Sequence, residues 1–75
     1  MQHYQNIGGD SGVSAYEIGP DSITVQFKDG WFYLYTYASA GSGAIETMKQ
    51  LAVKGVGLNS YISTTVKKGF ARKWQ

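Results

Sequence analysis

Asp29-Gly30 separates two runs of alternating residues, Ile23 to Lys28 and Trp31 to Tyr37, and no other feature of the chain constrains its fold as strongly. An Asp-Gly step in this setting is a strong short-range hairpin signal, because a type I′ turn needs positive φ at both corners. A two-residue loop then sets the register: Lys28 opposite Trp31, Phe27 opposite Phe32, Val25 opposite Leu34, Ile23 opposite Thr36. One face carries Ile23, Val25, Phe27, Phe32 and Leu34 and is the expected core. The other carries Trp31, Tyr33, Tyr35 and Tyr37 beside Thr24, Gln26 and Lys28. An earlier strand, Val13 to Ile18, joins through Gly19-Pro20-Asp21-Ser22, where proline fixes φ and aspartate tolerates the second corner. A tight turn there adds Tyr16 and Ile18 to the aliphatic face.

Beyond the hairpin the hydrophobic period changes from two to that of a helix. Ala38 to Gly43 is a small-residue connection with Ser42 as the expected N-cap. Ala44, Ile45, Met48, Leu51 and Ala52 form one stripe while Glu46, Lys49 and Gln50 point outward, and Gly55 supplies a left-handed stop. Leu58, Tyr61, Ile62, Thr65 and Val66 mark a second helix ended by Gly69. Phe70 to Gln75 fits a further strand, a docked tail or a frayed end equally well. The expected architecture is therefore α+β: a three-stranded antiparallel β-meander followed by two α-helices packed on one face. Residues 1–12 read as a flexible N-terminal tail, glycine-bearing with only Tyr4 and Ile7 as anchors, and 13–75 as a single domain.

With 75 residues there is room for one small core, and a chain of this size buries only about 60% of its unfolded surface. Cysteine is absent, so neither disulfides nor thiolate metal sites reinforce the fold. Catalysis lacks its parts. The single histidine, His3, lies in the expected tail, and the five carboxylates are scattered, Asp21 and Asp29 in turns and Glu46 near a helix start, with no matched acid and base and no ligand cluster. The expectation is a non-enzyme without cofactor or metal. No stretch approaches the ~20 apolar residues that span a bilayer, and the first residues lack the basic start and apolar run of a signal peptide. A cytoplasmic protein with no membrane partner is expected.

Two features speak to binding. Residues 1–48 carry five carboxylates against Lys28 alone, whereas 49–75 carry Lys49, Lys54, Lys67, Lys68, Arg72 and Lys73 with no acid. Such a split marks a basic face for polyanions or a solvated, solubilising segment. The second feature is the ring-bearing strand face. Each large ring buries ~150–250 Å², and soluble monomers seldom expose apolar patches above ~300–600 Å². Three occupants meet that requirement: nucleic acid stacked on the rings, a second copy of the chain, or the chain's own ends through Tyr4, Ile7, Phe70 and Trp74. Gly41-Ser42-Gly43 opens a helix and offers its amides to a phosphate, but it lacks the lysine and spacing of a phosphate-binding loop; Gly55-Val56-Gly57 reads as the link between two helices.

At Val25-Gln26-Phe27-Lys28-Asp29-Gly30, Tyr33-Leu34-Tyr35 and Gly57-Leu58-Asn59-Ser60-Tyr61-Ile62 the chain resembles the KTSC domain, a short module at the C-terminus of some lysyl-tRNA synthetases and in stand-alone bacterial and phage proteins. The likeness spans roughly Val13 to Arg72. It implies strands ending in a central Tyr-x-Tyr, two following helices and, through the synthetase context, RNA as a partner. The resulting expectation is a module for RNA or another nucleotide-containing anion. Trp31, Tyr33, Tyr35 and Tyr37 would stack on bases while Lys28, Lys67, Lys68, Arg72 and Lys73 meet phosphate. The alternatives are a homodimer through the aromatic face and a protein that sequesters small nucleotides.

Overall fold

The computed structural model describes residues 1–7 and 12–75. Five strands form one antiparallel sheet in sequence order: β1 (Gln2–His3), β2 (Val13–Ile18), β3 (Ser22–Phe27), β4 (Phe32–Thr36) and β5 (Phe70–Trp74). Helices α1 (Tyr37–Ala40), α2 (Ser42–Lys54) and α3 (Leu58–Tyr61) lie between β4 and β5, and α3 runs on into a π-helical segment, Ile62–Val66. The expected three-stranded meander with two helices is thus corrected. Both chain ends add a strand, and the connection after β4 is itself a short helix.

The N-terminal segment is tied down rather than free. Gln2 and His3 pair with Tyr16 and Ala15, and Tyr4 is 1% exposed within the core. Its hydroxyl accepts the Leu58 amide proton at 3.3 Å, and this serves α3, which starts at Gly57 without a side-chain cap. The Ile7 amide donates to Gly55 O at 2.7 Å. The remainder of the expected tail, 8–11, lies outside the described residues.

The register between β3 and β4 differs from expectation by one residue. Ile23 pairs with Tyr35, Thr24 with Leu34, Val25 with Tyr33 and Gln26 with Phe32. The cause is the loop. Gly30 N–H donates to Phe27 O and Phe27 N–H to Trp31 O, both at 2.9 Å, so the connection is three residues, Lys28-Asp29-Gly30. Gly30 takes φ +93° at the left-handed position that such loops require, and the Trp31 amide donates to Asp29 Oδ1 at 3.0 Å. Because strand side chains alternate, one extra loop residue exchanges the two faces of β4. Tyr33 and Tyr35 turn toward the helices, and Phe32 and Leu34 turn to the uncovered face. Ile23 and Val25 of β3 stay buried in the core, as expected.

That core joins Tyr4, Val13, Tyr16, Ile23, Val25 and Tyr35 from the sheet side to Ile45, Met48 and Ala52 of α2, Leu58 of α3, and Ile62 and Val66 beyond it. The stripe Ile45, Met48 and Ala52 follows the helical period, and Gly55 at φ 78°, ψ 21° gives the left-handed stop. Tyr16 is buried as foreseen, whereas Ile18 on the same face is 43% exposed. The strand ends at Thr36 because Thr36 and Ser39 cap each other reciprocally: Thr36 Oγ1 accepts from the Ser39 amide at 3.1 Å and Ser39 Oγ from the Thr36 amide at 3.0 Å. Tyr37 therefore opens a helix instead of ending a strand. Helix α2 begins with Gly41 as its N-cap, so Ser42 is its first residue and not the cap.

Candidate functional site

Beside the core, a cleft of about 600 Å³ opens between the helix-facing side of the sheet and the π-helical segment. Its aromatic surface is a consequence of the register. Tyr33 sits at the centre of a ring cluster, 5.2 Å from Phe27 and 5.1 Å from Phe70 in edge-to-face contacts at 85° and 75°. It also stacks beside Tyr35 at 6.4 Å and 18°. Tyr33, Phe27 and Phe70 are half-buried, so each keeps some surface toward the cleft. Tyr35 is 1% exposed. Burial, with a smaller contribution from Tyr33, pushes its hydroxyl up to about 12, which keeps it neutral at any physiological pH.

The polar surface comes from three separate segments. Lys28 and Asp29 belong to the β3–β4 loop, Lys67 and Lys68 follow the π-helical segment, and Lys73 lies on β5; Asn59 and Ser63 line the helical wall. All four lysines are exposed. Lys73 Nζ stands 5.6 Å from the Trp31 ring centroid and 5.8 Å from that of Phe70, so Lys73 bridges the cleft and the hairpin loop by cation–π contacts. Among the described residues the one ion pair is Lys49–Glu46; Asp29 is the one carboxylate that lines the cleft, and it pairs with none of the four lysines. Converging unpaired cations over half-buried rings concentrate positive potential where a flat, partly apolar group can lie.

Of the residues singled out in the sequence, Lys28, Tyr33, Tyr35, Lys67, Lys68 and Lys73 meet at this cleft. Three do not line it. Trp31 belongs to the hairpin end and touches the site only through Lys73. Tyr37 opens α1 and donates its hydroxyl proton to Glu46, which also receives Lys49 at 3.0 Å. That hydrogen bond raises the Tyr37 hydroxyl above its ordinary range and lowers Glu46 below its own. Arg72 pairs with Leu34 across the sheet and therefore faces away from the helices, with its guanidinium 5.6 Å from the Trp74 ring. Tyr35 contributes as a buried support and offers no open ring face. The cleft also uses Phe27, Asn59 and Ser63, which carry no site signal in the sequence, and Phe70, which with Trp74 is interleaved with Lys67, Lys68, Arg72 and Lys73, a pattern of rings and cations that suits a nucleotide.

Among the described residues no helix is long and apolar enough to cross a membrane, and no group of three or more His, Cys, Asp or Glu side chains is placed to hold a metal ion. No family model, curated protein or solved structure matches this chain.

Proposed function

We propose that the protein is a non-catalytic module that binds a nucleotide-containing anion, RNA or a smaller nucleotide, in the cleft between the sheet and the π-helical segment. The observation that carries the reading is the convergence of Lys28, Lys67, Lys68 and Lys73 from three segments around the Phe27–Tyr33–Phe70 rings. Phosphates meet the lysines and a base lies against the open portions of Tyr33 and Phe70; stacking of this kind contributes about 1–3 kcal/mol per base. The likeness to the KTSC domain around Tyr33-Leu34-Tyr35 favours the same ligand class, and in this reading the protein acts in the cytoplasm.

Titration of labelled single-stranded RNA, and separately of a labelled mononucleotide, at two salt concentrations tests it. If all four lysines meet phosphate on a single strand, log K falls with log salt at a slope near −2.8, so a fourfold rise in salt weakens binding by about fifty-fold. Absence of binding to either probe at low salt would refute the proposal.

A second reading rests on the opposite face. Phe32 and Trp74 stack there at 5.5 Å and 9° with Arg72 over Trp74, and Trp74 is 37% exposed. Association of two copies through this face predicts a concentration-dependent mass with little salt dependence, lost in Trp74→Ala; light scattering separates it from the first reading.

A further inference from the structure

Lys67 has φ 53° and ψ −116°. With the Gly69 amide donating to Val66 O at 3.0 Å, these are the angles of the first central residue of a type II′ turn, a position that favours glycine because a Cβ is crowded there. The preceding segment is unusual too. The Lys67 amide donates to Ile62 O at 2.6 Å, closing a π-helical turn, a rare form that recurs at functional sites. Two departures from ordinary backbone geometry therefore meet at one exposed residue of the cleft rim. Glycine would form the same turn without crowding. The Lys67 side chain makes no ion pair among the described residues, so its ammonium is free to meet an anion. Backbone outliers of this kind are held by the structure around them and cluster at active sites and ligand clamps.

We infer that Lys67 is a phosphate-binding residue held in a strained turn, and that the cleft takes a nucleotide carrying at least two adjacent phosphates. This rests on the nucleotide-binding reading above and narrows it. The turn presents Lys67 and Lys68 side by side, while Lys28 and Lys73 reach the same cleft from the hairpin loop and β5. Four cations against the single carboxylate of Asp29, around a space of about 600 Å³, suit a compact, highly charged head group better than one phosphate per stacked base along an extended strand. Asn59 and Ser63 supply neutral hydrogen-bonding groups on the helical wall. The strained lysine sacrifices stability for a preformed anion contact.

The test compares wild type, Lys67→Gly and Lys67→Arg by calorimetric titration with ADP, AMP and a single-stranded RNA octamer, and by ligand-free melting. Wild type is expected to bind ADP at least tenfold more tightly than AMP. Lys67→Gly is expected to melt about 4 °C higher, because the turn is relieved, yet to bind ADP at least tenfold more weakly; Lys67→Arg retains most of the affinity. A glycine variant that binds ADP like wild type, or melts below it, overturns the inference while leaving the nucleotide-binding reading intact. Binding of the octamer without binding of ADP does the same. Failure of wild type to bind any of the three probes removes both.

Discussion

Replacing Tyr35 by phenylalanine should make the protein markedly less sensitive to alkali. Tyr35 is 1% exposed beneath the helices, and its hydroxyl is raised from 10.0 to about 12. Below the ordinary tyrosine range the group is protonated in both the folded and unfolded chain and contributes no pH dependence. As pH rises through that range the unfolded chain releases its proton first while the folded chain retains it, so stability falls until the folded value is passed. Two units at 1.36 kcal/mol each give a loss of about 2.7 kcal/mol. A domain of this size has a total stability of about 4–11 kcal/mol, so the loss is readily measured. Urea unfolding of wild type and Tyr35→Phe at about pH 9 and again at about pH 12 isolates the effect. Lysine deprotonation and the hydrogen-bonded Tyr37 act equally on both proteins. The stability difference should move by about 2–3 kcal/mol in favour of the variant. Parallel curves would refute the burial of Tyr35 and with it the register that places Tyr33 in the cleft.

Tyr4→Phe should cost about 1–3 kcal/mol in urea unfolding, because the buried Leu58 amide loses its acceptor; an unchanged midpoint would remove the N-terminal segment from the account of α3. Gly30→Ala and Gly55→Ala both place alanine at positive φ, which costs about 1–2 kcal/mol. A Cβ at Gly30 meets nothing within 4 Å, whereas at Gly55 it falls 2.7 Å from Gln5 Cβ. The Gly55 variant should therefore be clearly the less stable in thermal melts, and equal losses would contradict the docking of residues 4–7 over the end of α2. Trp74→Ala should cost about 0.5–1.5 kcal/mol through its lost stacking on Phe32 and leave nucleotide affinity unchanged; a loss of affinity would move the site to the other face of the sheet.

The register explains both what was legible in the sequence and what was not. Alternation marked Ile23, Val25 and Phe27 as one face of β3 because Thr24, Gln26 and Lys28 between them are polar. No such contrast exists in β4, where Phe32 and Leu34 alternate with Tyr33 and Tyr35. Either set can be buried, and the loop decides. Asp29-Gly30 fits a two-residue I′ turn and also the last two positions of a three-residue loop, and the Trp31 amide bonded to Asp29 Oδ1 belongs to the latter. The stripe of α2 and its stop at Gly55 were readable, since both are set locally. Strand β1 was not, and β5 stood only as one of three readings of Phe70 to Gln75, because two residues at one end and a basic run at the other gain their strand character only from the neighbours they pair with. The basic cleft was half legible. Lys67, Lys68 and Lys73 stood out by charge, but their meeting with Tyr33 depends on the same flipped register, and Arg72 left the group for the outer face through strand alternation.

The proposed nucleotide site is the helix-facing cleft, with Tyr33, Phe70 and the four lysines. Amide chemical-shift mapping of the labelled protein during a low-salt titration with ADP tests it most directly. Saturable shifts are expected at Tyr33, Ser63, Lys67, Lys68, Phe70 and Lys73, with Thr24, Leu34 and Glu17 still. Shifts confined to the outer face, or none at saturating ligand, would contradict it.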